Sequence, residues 1–468
     1  MIERFAVPDQ LTCYYDRPAE PANVHVEVRV PGRLNESAIR ASVQAVLAAE
    51  PGLRARRSPA GGWRHSYYWE FPAAPDADPV LAATHADQPG LDAQRDAFLS
   101  QAPPLDLSPP LRFLLTSGPG GDCLILSAHH ARFDGLSCLR LLRCVAGEYG
   151  TRAAAAGRAP LPAADSGRQP AAGRTAPGPA RTAPGSARTA PGLARTALGA
   201  APAAAEHRAP AARVPRPGGG RIARIESGQG GSGRSLPGYG AHLMSWDGLA
   251  VSDRLRACGA SVNDLLISAL VLTIADWNES RDPRRGRGGS IRITMPVGER
   301  AQGGQDGQWA NRSRLTAATV SASSAARPAD LLGEVARQTG RAKERQGAQV
   351  GLASRILATA PVPVAAKHLI LRAALRIAGP LFCDTSLVSN LGQVEAPAFG
   401  AMTAAEIWFS TSAHMPRGLS LGAVTAGGSL RLTFRYRRAL FSAADAAEFA
   451  ARYAKALGQF AGPRAGWR

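Results

Sequence analysis

The run Ser127-Ala128-His129-His130-Ala131-Arg132-Phe133-Asp134-Gly135-Leu136-Ser137 holds the side chains best suited to chemistry in this chain of 468 residues. A histidine at the end of an apolar strand is a candidate general base, because an unperturbed imidazole pKa of about 6.5 leaves it mostly neutral at pH 7. Asp134 follows His130 by four residues and precedes a glycine, so the chain is expected to turn there. A carboxylate so placed can hydrogen-bond the loop or orient an imidazole. The plain alternatives are a strand end without chemistry, or a fragment of a metal site. A metal site needs a third ligand. The remaining histidines (His25, His65, His85, His207, His242, His368 and His414) are scattered singly, so no metal is expected.

The elements around this run are those that deliver a side chain to a rim. Val24, Val26, Val28 and Val30 alternate with His25, Glu27 and Arg29, the period of a half-buried strand. Asn35 is a natural N-cap for a helix carrying Ile39, Val43, Val46 and Leu47, which Pro51-Gly52 ends. Leu111–Thr116 and Cys123–Ala128 are apolar runs joined by a glycine-rich turn, a hairpin whose second arm leads straight into His129 and His130. A helical pattern resumes after Gly135. Later, Ser261-Val262-Asn263-Asp264 opens an apolar helix, with Ser261 as N-cap and Asp264 favoured at the helix start. Strands are expected at Ser290–Val297, Arg314–Val320, Ser386–Asn390, Leu419–Val424 and Ser429–Tyr436, and a last helix at Ser442–Phe460. Val364–Ile377 reads as a core helix whose cations Lys367, Arg372 and Arg376 snorkel to water.

Between Thr151 and Gly240 the pattern collapses into an imperfect seven-residue repeat, RTAPGPA, RTAPGSA, RTAPGLA and RTALG, from Arg174 onward. Its Pro-Gly pairs break helices, so residues 151–240 are expected to be a low-complexity, largely disordered insert or linker. That segment holds 13 arginines against three acids, about half of the formal charge of +19. Only three lysines occur in the chain, and the basicity is better explained by arginine-rich coding than by nucleic-acid binding. A positive surface would still favour an acidic carrier or a phosphorylated donor. The six cysteines form no metal or redox spacing and are expected to be reduced. No transmembrane run and no secretory signal is read, so a cytoplasmic location is expected. The recurring elements predict an α+β protein with two mixed lobes, 1–150 and 241–468, flanking the insert.

His129-His130-Ala131-Arg132-Phe133-Asp134-Gly135 resembles the HHxxxDG signature of condensation-domain-like acyltransferases. These include nonribosomal peptide condensation domains, polyketide-associated acyltransferases, alcohol acetyltransferases and wax-ester synthases. Ser261-Val262-Asn263-Asp264, Pro296-Val297-Gly298-Glu299-Arg300, Asn311 and Val388-Ser389-Asn390-Leu391-Gly392 resemble further segments of that superfamily, in the same order. A D-F-G-W-G segment, which many relatives carry, has at best a distant stand-in at Gly418–Gly422.

The resemblance implies two chloramphenicol-acetyltransferase-like lobes forming a pseudo-dimer with a tunnel at their interface. His130 would face that tunnel and deprotonate or orient an alcohol or amine attacking a thioester. Asp134 would be structural and pair with an arginine, best assigned to Arg300; Gly135 would permit the tight turn, and His129 would be structural. Asn390 would line the tunnel or tie the lobes. The implied donor is acyl-CoA or an acyl-phosphopantetheinyl carrier protein, the acceptor a small alcohol or amine, with no bound cofactor and a monomeric protein. A non-catalytic scaffold that recruits a carrier protein or synthetase is the alternative.

Overall fold

The computed structural model describes residues 2–59, 63–158, 222–228, 237–247, 255, 259–283, 289–298, 309, 313–344, 352–382, 384–461 and 466–467. Met1–Gly157 and Gly219–Arg468 form one compact unit. The chain opens with β1 (Ile2–Arg4), which pairs with β4 (Tyr68–Glu70) beside β3 (Arg56–Arg57), and with helix α1 (Val7–Tyr15).

The valine alternation forms β2 (Asn23–Val30). It lies in a five-stranded sheet with β5 (Val80–Thr84), β6 (Leu111–Gly118), β7 (Gly121–His129) and β14 (Glu406–Thr411), in the order β14-β2-β7-β6-β5. Helix α2 (Glu36–Ala49), capped by the Asn35 side chain, and helix α4 (Gly135–Arg158) pack against it, and α3 (Gln88–Leu99) lies nearby. Val24, Val26 and Val28 are fully buried in one cluster with Ile39, Val43, Leu139 and Leu142. Each such side chain contributes roughly 1.5–3 kcal/mol of burial. β7 is central, paired to β2 through Asn23↔His129 and to β6 through Leu111↔Ala128. Its last residue therefore emerges at the sheet end with both neighbours fixed.

A seven-stranded sheet follows the order β10-β9-β11-β15-β16-β8-β17. Its strands are β8 (Tyr239–Asp247), β9 (Ser290–Gly298), β10 (Ser313–Ser321), β11 (Ser386–Gln393), β15 (Leu419–Ala426), β16 (Ser429–Arg437) and β17 (Gly466–Trp467). Helix α5 (Val262–Arg281) is apolar almost all round and is buried against this sheet and α9 (Ala443–Ala461). Such all-round burial fits an interior helix. The remaining helices are α6 (Pro328–Glu344), α7 (Leu352–Thr359) and α8 (Val364–Phe382); β12 (Ala398–Phe399) and β13 (Met402–Thr403) form a small ribbon.

Strand β14 was absent from the sequence reading. It belongs in sequence to the second half of the chain, yet it forms the edge of the five-stranded sheet, pairing Glu406–Thr411 with Arg29–Val24 of β2. Gly422 of β15 makes the crossing possible: a Cβ there would sit 2.0 Å from the Phe409 carbonyl oxygen. Three other expectations change. Helix α4 runs on through Arg158, since the alanines from Ala153 extend it before the proline-rich repeat begins. Ile222 is buried and bridges to Ser290, so a part of the expected insert packs against β9. Lys367 does not snorkel; it is buried, and its Nζ donates to the carbonyls of His65 (2.7 Å) and Ala358 (2.8 Å). Cys13, Cys123, Cys138 and Cys144 are free thiols, the first three buried, while Cys258 and Cys383 lie outside the described residues. The seven-residue repeat also lies outside them.

Among the described residues, no helix is long and apolar enough to cross a membrane, and no group of three or more His, Cys, Asp and Glu side chains is placed to hold a metal ion.

Candidate functional site

Strand β7 ends in a tight turn in which the N–H groups of Arg132 and Phe133 both donate to the His129 carbonyl. Half-buried His130 sits on this turn, its own N–H donating to the Ala22 carbonyl at 2.8 Å. Its Nδ1 lies 3.0 Å from the Phe133 carbonyl oxygen. A carbonyl only accepts, so Nδ1 carries the proton and Nε2 is the basic nitrogen of the neutral ring. Burial pushes the His130 pKa below the ordinary imidazole value, opposed by the Phe133 hydrogen bond and the charge of Asp134. The neutral form needed by a base is thereby favoured at pH 7.

His129 is fully buried and is used in the opposite sense. Its Nδ1 accepts from the Ala131 N–H at 3.1 Å, which places its proton on Nε2, 3.3 Å from Asp16 Oδ2. Asp16 Oδ1 accepts from the Ala22 N–H at 2.9 Å. Burial alone would raise the Asp16 pKa, but the hydrogen bonds from His129 and from the Ala22 N–H oppose it, and the net shift is downward.

Asp134 is buried and caps helix α4: its Oδ1 accepts from both the N–H and the hydroxyl of Ser137, each at 2.8 Å. Its expected partner Arg300 lies outside the described residues, as do Glu299 and Asn311. Gly135 is present for a different reason than the turn. It is not among the glycines with positive φ; instead a Cβ would lie 2.6 Å from the Phe409 ring and 2.7 Å from Leu391. The helix start that follows the motif is thus pressed against β14 and β11.

Asn390 lies on β11 near a register shift. Its Nδ2 donates to Asn263 Oδ1 at 2.8 Å, and its Oδ1 accepts from the Gly392 N–H at 2.8 Å. The two segments singled out in the second half of the sequence therefore meet. Asn263 is held at the start of α5 by a capping box, in which Asp264 accepts from the Ser261 N–H and hydroxyl, and Thr339 donates to its other oxygen. Leu391 then connects this pair to Gly135.

Two contributors escaped the sequence reading. Asp16 stands just past the C-terminal end of α1, a helix absent from the sequence reading, where the helix dipole disfavours an acid. Arg132, inside the motif, is nearly buried, lies over the rings of Trp69 and Phe71, and donates to the Gly52 carbonyl. A cavity of about 510 Å³ opens between α5 and α9, lined by Leu272, Asp276, Glu279, Arg452 and others, and includes none of these residues.

No family model matches the chain. Two uncharacterized proteins from two strains of Mycobacterium tuberculosis are each 29% identical to it over 416 residues, covering 88% of this chain and 89% of theirs. Among solved structures, the first condensation domain of the calcium-dependent antibiotic synthetase, in complex with a substrate analogue, is 14% identical. It covers 98% of this chain and 97% of its own, with a TM-score of 0.60. The SgcC5 protein of Streptomyces globisporus, in complex with (R)-(-)-1-(2-naphthyl)-1,2-ethanediol and sucrose, is 14% identical. It covers 97% of this chain and 98% of its own at a TM-score of 0.58. The X-domain from teicoplanin biosynthesis is 14% identical and covers 98% and 94% at 0.57. These structural likenesses cover 97–98% of this chain and show its fold, which is that of the condensation domains, with two chloramphenicol-acetyltransferase-like lobes.

Proposed function

We propose that the chain is an acyltransferase that moves an acyl group from a coenzyme A or carrier-protein thioester to an alcohol or amine, with His130 as general base. The observation that carries this reading is the Nδ1–H to Phe133 carbonyl hydrogen bond, which leaves the basic nitrogen of a neutral imidazole at Nε2. In the reaction Nε2 takes the proton of the acceptor O–H or N–H as the heteroatom attacks the thioester carbonyl carbon. The tetrahedral adduct collapses, the C–S bond breaks, and the imidazolium returns the proton to the leaving thiolate. No cofactor enters this balance. Asp134 holds the loop by capping α4, and its charge pairing with Arg300 belongs to the same proposal. Asn390 ties β11 to α5 beside the tunnel that the two lobes would enclose.

An alcohol acceptor is supported by the diol in the structure of the SgcC5 protein, and a carrier-protein donor by the synthetase origin of the other neighbours. A panel of acyl thioesters and candidate acceptors, read by intact-product mass spectrometry, tests the proposal. An ester or amide product that disappears in His130→Ala supports it; a protein that consumes no thioester but still captures a carrier protein or synthetase points to the scaffold reading.

A further inference from the structure

Asp16 grips both flanks of His130. Its Oδ2 lies 3.3 Å from His129 Nε2, and the same ring accepts the Ala131 N–H at 3.1 Å, so the residues before and after His130 hang on one imidazole. Its Oδ1 accepts the Ala22 N–H at 2.9 Å, and the Ala22 carbonyl in turn holds the His130 N–H at 2.8 Å. We propose that Asp16 is a positioning residue for His130, fixing its backbone through Ala22 and its loop through His129 so that Nε2 meets the reacting proton.

The anchor of Asp16 reaches into the other lobe. The turn that follows it is closed by Arg17 and Glu20. Arg437 of β16 donates to the Ala19 carbonyl and lies 3.4 Å from Glu20 Oε1, and the Gly238 N–H also donates to Ala19. A change in the seating of β16 would therefore be felt at His130 through Asp16. Besides His129, the titratable groups that bear on Asp16 include His414, from the loop before β15, Cys13 of α1 and Tyr239 of β8.

The chemistry of the pair makes a sharp substitution available. Asp16 receives two donors, the Ala22 N–H and the His129 Nε2–H. Asparagine offers one acceptor oxygen and one NH₂, so one contact must become donor against donor. His129 cannot relieve this by moving its proton to Nδ1, because that nitrogen already accepts from Ala131.

This inference rests on the acyl-transfer reading, but it has a readout that does not. The full chain with ¹⁵N-labelled histidine, as wild type, Asp16→Asn and Asp16→Glu, is compared by tautomer-sensitive NMR and by steady-state acyl transfer. In Asp16→Asn, kcat should fall about ten- to a hundredfold while KM for the thioester stays within about threefold, the scale of a misplaced catalytic group. The His130 nitrogen shifts should move from the Nδ1–H form toward a mixture, and Asp16→Glu should recover part of both changes. A folded Asp16→Asn protein with kcat within about threefold of wild type and unaltered His130 shifts would overturn the proposal. So would a loss confined to KM. If Asp16→Asn does not fold, the same readings on Asp16→Glu decide: shifts and kcat altered together support it, and neither altered overturns it. Failure of wild type to use any thioester would remove the acyl-transfer reading, while the shifts still decide the role of Asp16.

Discussion

His129 and His130 are adjacent in sequence but hold their protons on different nitrogens: Nδ1 of His129 accepts from Ala131, and Nδ1 of His130 donates to Phe133. One ring is thereby committed to the scaffold, and the other, the proposed base, has its basic nitrogen at Nε2. This division follows from the turn after β7, which places a backbone donor beside one imidazole and a backbone acceptor beside the next.

The lowered pKa of His130, caused by burial, sets a pH dependence. A base must be deprotonated, so kcat/KM should rise with pH to a plateau, with an apparent midpoint under the free imidazole value of about 6.5. A pH–rate profile over the stable range checks this. A midpoint above 7 would assign the titration to another group.

Gly135→Ala should destabilise the protein by about 1–3 kcal/mol, because the new methyl has to displace Phe409, buried in the core, and Leu391, packed against it. Urea unfolding measures the loss. If strain from the turn were the cause instead, trimming the neighbour would not help; with packing as the cause, Leu391→Ala should offset part of the penalty when combined with Gly135→Ala.

Asp134→Ala should cost about 1–2 kcal/mol through the lost cap of α4, whereas Asp134→Asn, also a good N-cap, should cost less than half of that. Denaturant midpoints separate the two. Pairing with Arg300 predicts in addition that Asp134→Asn lowers turnover although the cap survives, and that Arg300→Ala lowers it to a similar extent.

Much of this arrangement was legible in the sequence. The β2 valines, the Asn35 cap, the Ser261–Asp264 capping box and the hairpin leading to His130 are all local patterns, written within a few residues of where they act. What escaped depends on partners far along the chain. Glu406–Thr411 reads as a short apolar run, and its place beside β2 is fixed by a register nearly 400 residues away. Gly135 looked like a turn glycine because its crowding comes from β14 and β11. Asp16 has no motif around it; its importance arises only when the turn after α1 folds back on Ala22.

Asp9 offers a test of the packing behind the motif loop. Burial raises its pKa from 3.8 to about 7, against the hydrogen bond from Trp69 and the charge of Arg132. Between those two values the folded protein keeps a proton that the unfolded chain has lost, so this group makes stability fall as pH rises. Asp9→Asn removes that penalty. It should be the more stable protein at pH 8, by an amount on the order of 2–4 kcal/mol, and the gap should close toward pH 4. Denaturation curves at both pH values check the sign.

The assignment of His130 is tested most directly by kcat/KM for acyl transfer in His130→Ala, alongside a circular dichroism spectrum and melting curve. The expected result is a loss of about a hundredfold to ten-thousandfold with the fold intact, the usual range for removing a general base. A folded His130→Ala protein that transfers acyl groups within about threefold of the wild-type rate would contradict it.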